Sequence, residues 1–348
     1  MSGSVSATAP PARTIATPRA GGAVRFGAAL LIVIVGGCLL GMPWSFGEVR
    51  DASGAAGPRY AIGNLELNLL PPSWLGTAGD AEGRGGTEVR TRVEAARAAG
   101  RYVPGRVLGT DRLGRDVFAR LLAGGVVSLA VGFGAAVVAV LLGTLYGAFS
   151  AFAGGRTDAV LMRIVDVLFG LPSILLVVLL AVAVDGAVSR AGWDLGPAAR
   201  QWIGLTTLFV AIGGVGWLTL ARIVRGQVLS LRGRPFMEAC EALGVPHRRR
   251  FLRHLLPNLA GPVLVYAALA VPAAMLAESF LSFLGIGVQE PLPSWGNLAS
   301  EGLQELNPFR SRWWLLAAPC VALSATLLAL NLVGDHIRRG FDPGSGTP

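Results

Sequence analysis

EACEALGVPHRRRFLRHLLPN, residues 238–258, lies inside a polar, arginine-rich insert that covers residues 222–258. The segments on both sides of the insert are hydrophobic enough to cross a membrane. Pro235 is predicted to begin a helix, because the first helical position loses nothing when its N–H is missing. Gly244, followed by a Val-Pro pair, is predicted to end that helix with a left-handed cap. The insert therefore predicts a short helix of about nine residues.

One face of this short helix is apolar and consists mostly of small side chains. Its members recur at i, i+3, i+4 and i+7 and are Phe236, Ala239, Cys240 and Leu243. Glu238 and Glu241 point elsewhere on the helix. A shallow apolar face of this kind suits docking into a groove on another protein. The alternative is a loop helix that packs on its own chain.

The insert resembles the EAA loop of the membrane subunits of binding-protein-dependent ABC importers. The matching residues are Glu238-Ala239-Cys240, Gly244 after three intervening residues, and Leu256-Pro257. Cys240 stands where the second alanine of the motif is usual, and His254 stands where isoleucine is usual. A histidine at that position, in RHxxPN, is itself similar to the peptide-importer branch.

Four further stretches resemble the dipeptide/oligopeptide/nickel permease family, specifically its C-type subunit. They are LGTDRLGRDVFARLLAG (108–124), GGRTDAVLMRIVDVLFGLPS (154–173), AESFLSFLGIGVQEPLPSWG (277–296) and NLVGDHIRRGFDP (331–343). The five ordered matches span residues 108–343. The N-terminal hundred or so residues match the family only in their general plan.

The resemblance implies a type I ABC importer permease fold and a transport function. The implied partners are a second homologous permease, two ABC ATPase subunits and an extracytoplasmic substrate-binding protein. ATP and Mg would bind the ATPase subunits, so no cofactor is expected on this chain. The expected cargo is a di- or oligopeptide, with a nickel complex or another small solute as the alternative. The implied ATPase-coupling residues are Phe236, Glu238, Ala239, Cys240, Leu243, Gly244, Leu256 and Pro257.

Composition independently indicates a membrane protein. The 348-residue chain is 53% hydrophobic, its mean hydropathy is +0.57, and its charges are clustered. Six windows lack charged residues and approach or exceed the roughly 20 residues that a helical span needs. They cover residues 26–47, 121–155, 167–184, 201–221, 254–277 and 313–334. The sequence thus predicts an all-α integral membrane protein with six transmembrane helices in the lipid bilayer.

The arginine distribution predicts the orientation, because the chain contains no lysine. With a cytosolic N-terminus, half of the 30 arginines lie on the cytosolic side, eight of them in residues 222–253. The short loops assigned to the outside, 185–203 and 288–313, hold four. This inequality follows the positive-inside rule and places both termini in the cytosol of a prokaryotic cell membrane. Topology accounts for most of the net charge of +9 without a nucleic-acid partner.

Composition also divides the chain into regions. Residues 1–22 are expected to be a disordered cytosolic tail, 23–120 to hold the first span and a long extracytoplasmic loop, 121–340 to form the permease core, and 341–348 to be a second cytosolic tail. A signal peptide over 1–47 is the rival interpretation, but its apolar run is longer than usual. Within the loop, residues 87–101 are predicted to be helical.

Several kinds of site are poorly supported by the residues present. Without lysine the chain lacks a P-loop and a lysine Schiff base, so ATP hydrolysis is expected on separate chains and no enzyme activity is expected here. The three histidines have no metal-ligand spacing, so no metal site is expected. An ion-coupled secondary transporter would need more buried ionisable groups than these spans contain. A structural or signalling membrane protein would not need the EAA-like helix.

Charged residues and prolines near the spans are the remaining candidates. Glu278, near the outer end of the fifth span, either lines a translocation cavity or is a helix-end carboxylate bonded to a neighbouring helix. Asp166 has the same two interpretations at the inner edge of the third span. Pro172 and Pro272 are expected to lie within spans, where they permit bends. Glu278 and Pro272 are the candidates for the translocation path.

The stretch GTDRLGRDVFARLL (109–122) is predicted to be structural. Thr110 or Asp111 is expected to cap the helix that leads into the second span, and Arg115 is expected to pair with Asp116. Three tryptophans are predicted to anchor the chain at the outer membrane interface. They are Trp295, Trp313 and Trp314.

Overall fold

Six helices form the membrane part of the molecule. The computed structural model describes residues 21–50, 55–75, 84–191, 196–306 and 312–341. Six helices in these ranges are long and apolar enough to cross a membrane, which confirms the predicted number. They are α1 (Gly22–Ser45), α3 (Val117–Ala153), α5 (Ser173–Arg190), α6 (Pro197–Arg232), α9 (Leu256–Phe283) and α11 (Trp313–Phe341). The predicted tails, 1–22 and 341–348, lie almost entirely outside the described residues.

Shorter elements connect these spans. A two-stranded antiparallel sheet follows α1, and short helices lie at both ends of the bundle. The strands are β1 (Glu48–Arg50) and β2 (Ala56–Pro58), and the helices are α2 (Arg84–Ala98), α4 (Gly155–Phe169), α7 (Pro235–Ala242), α8 (His247–Arg249) and α10 (Trp295–Gln304). A 3₁₀ turn covers Leu65–Leu67, and a π-helical turn covers Arg250–Leu255 and leads into α9.

The third span begins later than the sequence predicts. Residues 167–184 lack charge, but the helix breaks after Phe169 and resumes at Ser173. Pro172 is therefore the residue before α5 and not a kink inside a span, which corrects the prediction. The residues before the break form the separate helix α4. Pro272 lies inside α9, as predicted.

The packing of α3 against α6 forms the centre of the bundle, and two glycines make it possible. Gly143 and Gly147 are four residues apart, so they lie on one face of α3. A Cβ built on Gly147 would lie 2.3 Å from the carbonyl oxygen of Ala221, and one on Gly143 would lie 2.9 Å from that of Trp217. Small residues of this spacing let helix backbones approach closely inside a membrane.

The loop between α1 and α3 has a small core of its own. Val93 and Ala96 of α2 pack on Leu67 and Leu70. The Thr110 hydroxyl donates to the Leu67 carbonyl at 2.6 Å and accepts from the Leu70 N–H at 2.8 Å. Thr110 therefore does not cap α3, in contrast to the prediction. The helix predicted over 87–101 is confirmed as α2, which begins and ends three residues earlier, at Arg84 and Ala98.

A buried ion-pair cluster joins the start of α3 to α10. Asp116 caps α3 by accepting from the N–H groups of residues 118 and 119. Arg115 consequently pairs with Asp111, at 2.6 Å, and not with Asp116. Arg120 is fully buried and donates to Asp111 at 2.7 Å and to Glu301 of α10 at 2.8 Å. These pairs attach α10 to the start of α3.

The three tryptophans occupy different environments. Trp295 is 1% exposed and donates its indole N–H to the Leu121 carbonyl at 3.0 Å. It is thus a core residue between α10 and α3, and the predicted interfacial anchor is wrong for this residue. Trp314 is also buried, whereas Trp313 is 48% exposed.

Candidate functional site

The helix α7 lies at the end of α6 and exposes part of its apolar face. Ala239 is exposed and Leu243, just after the helix, is 82% exposed. Phe236 and Cys240 are half-buried, and Met237 is 5% exposed. The helix is therefore anchored through Met237 on its own chain. Sequence reasoning missed this anchor, although Met237 lies next to the predicted apolar face.

The turn after α7 has the predicted geometry. Gly244 has a φ of +65°, in the left-handed region that favours glycine. The N–H of Val245 donates to the Cys240 carbonyl at 3.0 Å, and the N–H of Gly244 donates to the Glu241 carbonyl at 3.0 Å. These bonds satisfy carbonyls at the helix end. The turn directs the chain back toward the membrane.

Side chains of the returning segment hold α7 in place. Arg250 is buried, lies 3.3 Å from the carboxylate of Glu241, and donates to Nδ1 of His247 at 2.7 Å. Phe251 packs edge-on against Phe152, near the C-terminal end of α3, with ring centroids 5.2 Å apart. Contacts also join α7 to α6 and to the π-helical turn. A displacement of α7 would therefore act on both α6 and α9.

The last two predicted motif residues lie at the start of α9. Leu256 is half-buried, while Pro257 is exposed in the first turn of the helix. Pro257 lacks an N–H where none is needed. Neither residue belongs to the exposed face of α7. Six of the eight predicted coupling residues therefore lie in α7 or the turn after it, and the other two lie in the first turn of α9.

Two arginines of α6 attach α4 to the bundle. Arg225 donates two hydrogen bonds to Asp158, at 2.7 and 2.6 Å, and the Ser150 hydroxyl donates a third at 2.7 Å. The bonds from Arg225 lower the pKa of Asp158 below its usual value. Arg222 pairs with Asp166 at 2.8 Å, which supports the structural interpretation of that aspartate.

An apolar cavity of about 540 Å³ lies among α3, α5, α6, α9 and the end of α4. Its wall is formed by aliphatic side chains, alanines, glycines and Phe169, with polar groups only from Ser173, Thr219 and Tyr266 among the described residues. Ala274 and Ala277 are among the α9 residues that line it. A cavity of this size is large enough for a small ligand.

Glu278 and Pro272 do not line this cavity among the described residues. Glu278 is fully buried and accepts hydrogen bonds from the hydroxyls of Ser282, at 2.8 Å, and Ser279, at 3.2 Å. Both serines belong to α9, so the carboxylate of Glu278 bonds within its own helix and does not face the cavity.

The family is decided by the comparison with known proteins. Residues 139–346 match the family described as "Binding-protein-dependent transport system inner membrane component". The chain belongs to this family. It is therefore a multi-pass inner membrane component of a transport system, and the family is one of transport proteins and not of enzymes.

Relatives extend the match toward the N-terminus. The oligopeptide transport system permease protein OppC of Haemophilus influenzae is 44% identical over 237 residues, covering 68% of this chain and 69% of the relative. Escherichia coli OppC is 45% identical over 241 residues, covering 69% and 72%. The dipeptide transport system permease protein DppC of Bacillus subtilis is 43% identical over 235 residues, covering 68% of each chain. The predicted likeness to the C-type subunit is confirmed.

Proposed function

We propose that this protein is the C-type permease subunit of an ATP-driven importer of di- or oligopeptides. The observation that carries the proposal is the geometry of α7. Its sequence lies at the EAA-like motif, Met237 anchors it, and Ala239 and Leu243 remain exposed. An anchored helix with an exposed apolar edge suits a rigid contact with a partner protein. The OppC and DppC relatives are named for oligopeptide and dipeptide transport.

The proposed complex contains four kinds of chain. A second, homologous permease completes the pathway, two ABC ATPase subunits bind ATP and Mg, and an extracytoplasmic binding protein delivers the substrate. The exposed edge of α7 is the proposed contact with one ATPase. We place both termini and α7 in the cytosol, since eight arginines lie in residues 222–253.

The proposed mechanism is mechanical. Closure of the ATPase dimer displaces α7, which contacts α6 and the π-helical turn that continues into α9. Both α6 and α9 line the apolar cavity. Movement of α7 is therefore converted into a change in the walls of the cavity, and access alternates between the two sides of the membrane.

The lining of the cavity favours a permissive pathway. Ser173, Thr219 and Tyr266 offer hydroxyl groups, and the other described lining side chains are apolar. Such a wall offers no fixed ion pair to the charged ends of a peptide, so we assign cargo selection to the binding protein. The names of the relatives favour a peptide over the nickel alternative.

Reconstitution tests the proposal. The chain would be co-expressed with a second permease that pairs with it, with the ATPases and with the binding protein, and the complex would be reconstituted in proteoliposomes. We expect uptake of a labelled peptide only with ATP and the binding protein. An ATPase variant that binds but does not hydrolyse ATP is the control. Uptake that does not depend on ATP but does depend on a proton gradient would instead establish a secondary transporter.

A further inference from the structure

Three arginines on the segment that enters the membrane are exposed and unused by the coupling site. They are Arg248, Arg249 and Arg253, and each is exposed. None of the three forms an ion pair or a side-chain hydrogen bond with another residue in the described ranges. Their neighbour Arg250 differs, because it is buried and paired with Glu241. The three exposed guanidinium groups are thus available to a partner.

Their depth relative to the membrane follows from the helix that they precede. Residues 254–277 lack Asp, Glu, Lys and Arg and extend over about 36 Å as a helix. The hydrocarbon core is about 30 Å thick, and each headgroup layer adds about 5–7 Å. Arg253 therefore lies at the edge of the hydrocarbon, and Arg249 lies about 6 Å further out. Both positions fall in the headgroup layer.

The same surface carries an apolar side chain. Leu252 is 49% exposed and lies between Arg249 and Arg253 in the sequence. An exposed leucine beside arginines matches the membrane interface, where the apolar group enters the acyl boundary and the charges remain at the headgroups.

We propose that Arg248, Arg249 and Arg253 form a binding site for the phosphate groups of anionic phospholipids in the leaflet on the α7 side. Guanidinium groups bind phosphate in a bidentate manner, and basic clusters beside a transmembrane helix bind anionic headgroups. Because Arg250 of the same turn holds Glu241 of α7, a lipid bound here also stabilises the position of the coupling helix. Only this effect on the coupling helix rests on the proposed function of α7; the lipid site itself does not.

The rival occupant is an acidic surface of an ATPase subunit. The depth favours lipid, because Arg253 adjoins the hydrocarbon edge while the exposed edge of α7 belongs to the preceding segment. A single arginine near an anionic surface changes affinity about fivefold. Loss of all three should therefore abolish a preference for anionic lipid.

Native mass spectrometry of the full-length chain tests the site. Micelles would contain equal amounts of phosphatidylglycerol and phosphatidylcholine, and the adducts of each lipid would be counted. We expect the wild type to retain phosphatidylglycerol preferentially, and Arg248→Gln/Arg249→Gln/Arg253→Gln to lose that preference. A matched control, Arg90→Gln/Arg97→Gln, removes exposed arginines from α2 and should retain it.

Two further measurements separate the outcomes. The single variants Arg249→Gln and Arg253→Gln should each reduce the preference about fivefold, which keeps the test valid if the triple variant folds poorly. Co-purification of the ATPase with each variant addresses the rival. Unchanged phosphatidylglycerol binding in the triple and single variants would overturn the proposal. Loss of the ATPase with unchanged lipid binding would assign these arginines to the protein contact instead.

Discussion

Replacing Gly147 by alanine tests whether the close approach of α3 and α6 holds the bundle together. The new Cβ would lie 2.3 Å from the carbonyl oxygen of Ala221 and 3.0 Å from its carbonyl carbon and Cα. Ordinary contacts of a Cβ lie at 3.4–4 Å. The obstructing atoms belong to the backbone, so no side-chain rotation relieves the contact. The two helices must separate by about 1 Å, because the interior is closely packed.

The magnitude follows from two opposing effects. Overpacking of this kind costs about 1–3 kcal/mol, and backbone contacts belong to the upper half of that range. Alanine is better than glycine inside a helix by about 0.5–1 kcal/mol, which offsets part of the cost. We expect Gly147→Ala to lower the free energy of unfolding by about 1–2.5 kcal/mol.

Gly226→Ala is the matched control, because it lies in α6 and its Cβ would meet no atom within 4 Å. It should raise the free energy of unfolding by about 0.5–1 kcal/mol. Both variants would be unfolded by increasing mole fractions of SDS in detergent micelles, with tryptophan fluorescence as the signal. Equal stability of the two variants would refute the packing argument.

The remaining predictions address the turn, the α4 attachment and the topology. Gly244→Val should destabilise the turn after α7 by about 1–2 kcal/mol, because valine is strained at a positive φ; its Cβ would meet no other atom within 4 Å. The variant should reach the membrane at normal abundance but transport less peptide, and normal uptake would contradict this prediction. Asp158→Asn should lower stability by about 1–3 kcal/mol at neutral pH. Because Arg225 lowers the pKa of Asp158, this contribution is present above the unfolded carboxyl's pKa of 3.8 and is lost at lower pH, so wild type and variant should converge in acid unfolding curves. Single cysteines replacing Arg97 and Leu303, in a background without the native three, should react with an impermeant reagent from outside, and labelling only from the cytosol would overturn the six-span orientation.

The sequence was sufficient for the spans and for the short helix after α6. Hydrophobic windows identify transmembrane helices because the bilayer admits few alternatives. Pro235 and Gly244 marked the limits of α7 within two residues, because their backbone preferences are local. The prediction of the third span was less accurate. The charge-free window 167–184 includes the apolar last residues of α4 and the break that follows them, whereas the spanning helix α5 begins only at Ser173.

Contacts between distant residues were not predictable from the sequence. Arg120 pairs with Glu301, 181 residues away, and nothing local distinguishes it from an exposed arginine. The sequence around Trp295 predicts an interfacial residue, but its indole N–H donates to the Leu121 carbonyl inside the bundle. Met237 was missed for a similar reason, because the side of α7 that faces its own chain depends on the direction in which α6 ends.

Co-purification of an ATPase subunit with the Ala239→Arg variant tests the central claim most directly. Ala239 is exposed, so the arginine should leave folding and membrane abundance unchanged while placing an unpaired charge in the proposed contact, at a cost of several kcal/mol. Ala95→Arg, at an exposed position of α2, is the control for an added arginine. We expect Ala239→Arg to lose both the ATPase and peptide uptake, and Ala95→Arg to keep both. Retention of the ATPase per folded molecule in Ala239→Arg would contradict the assignment of this face to docking.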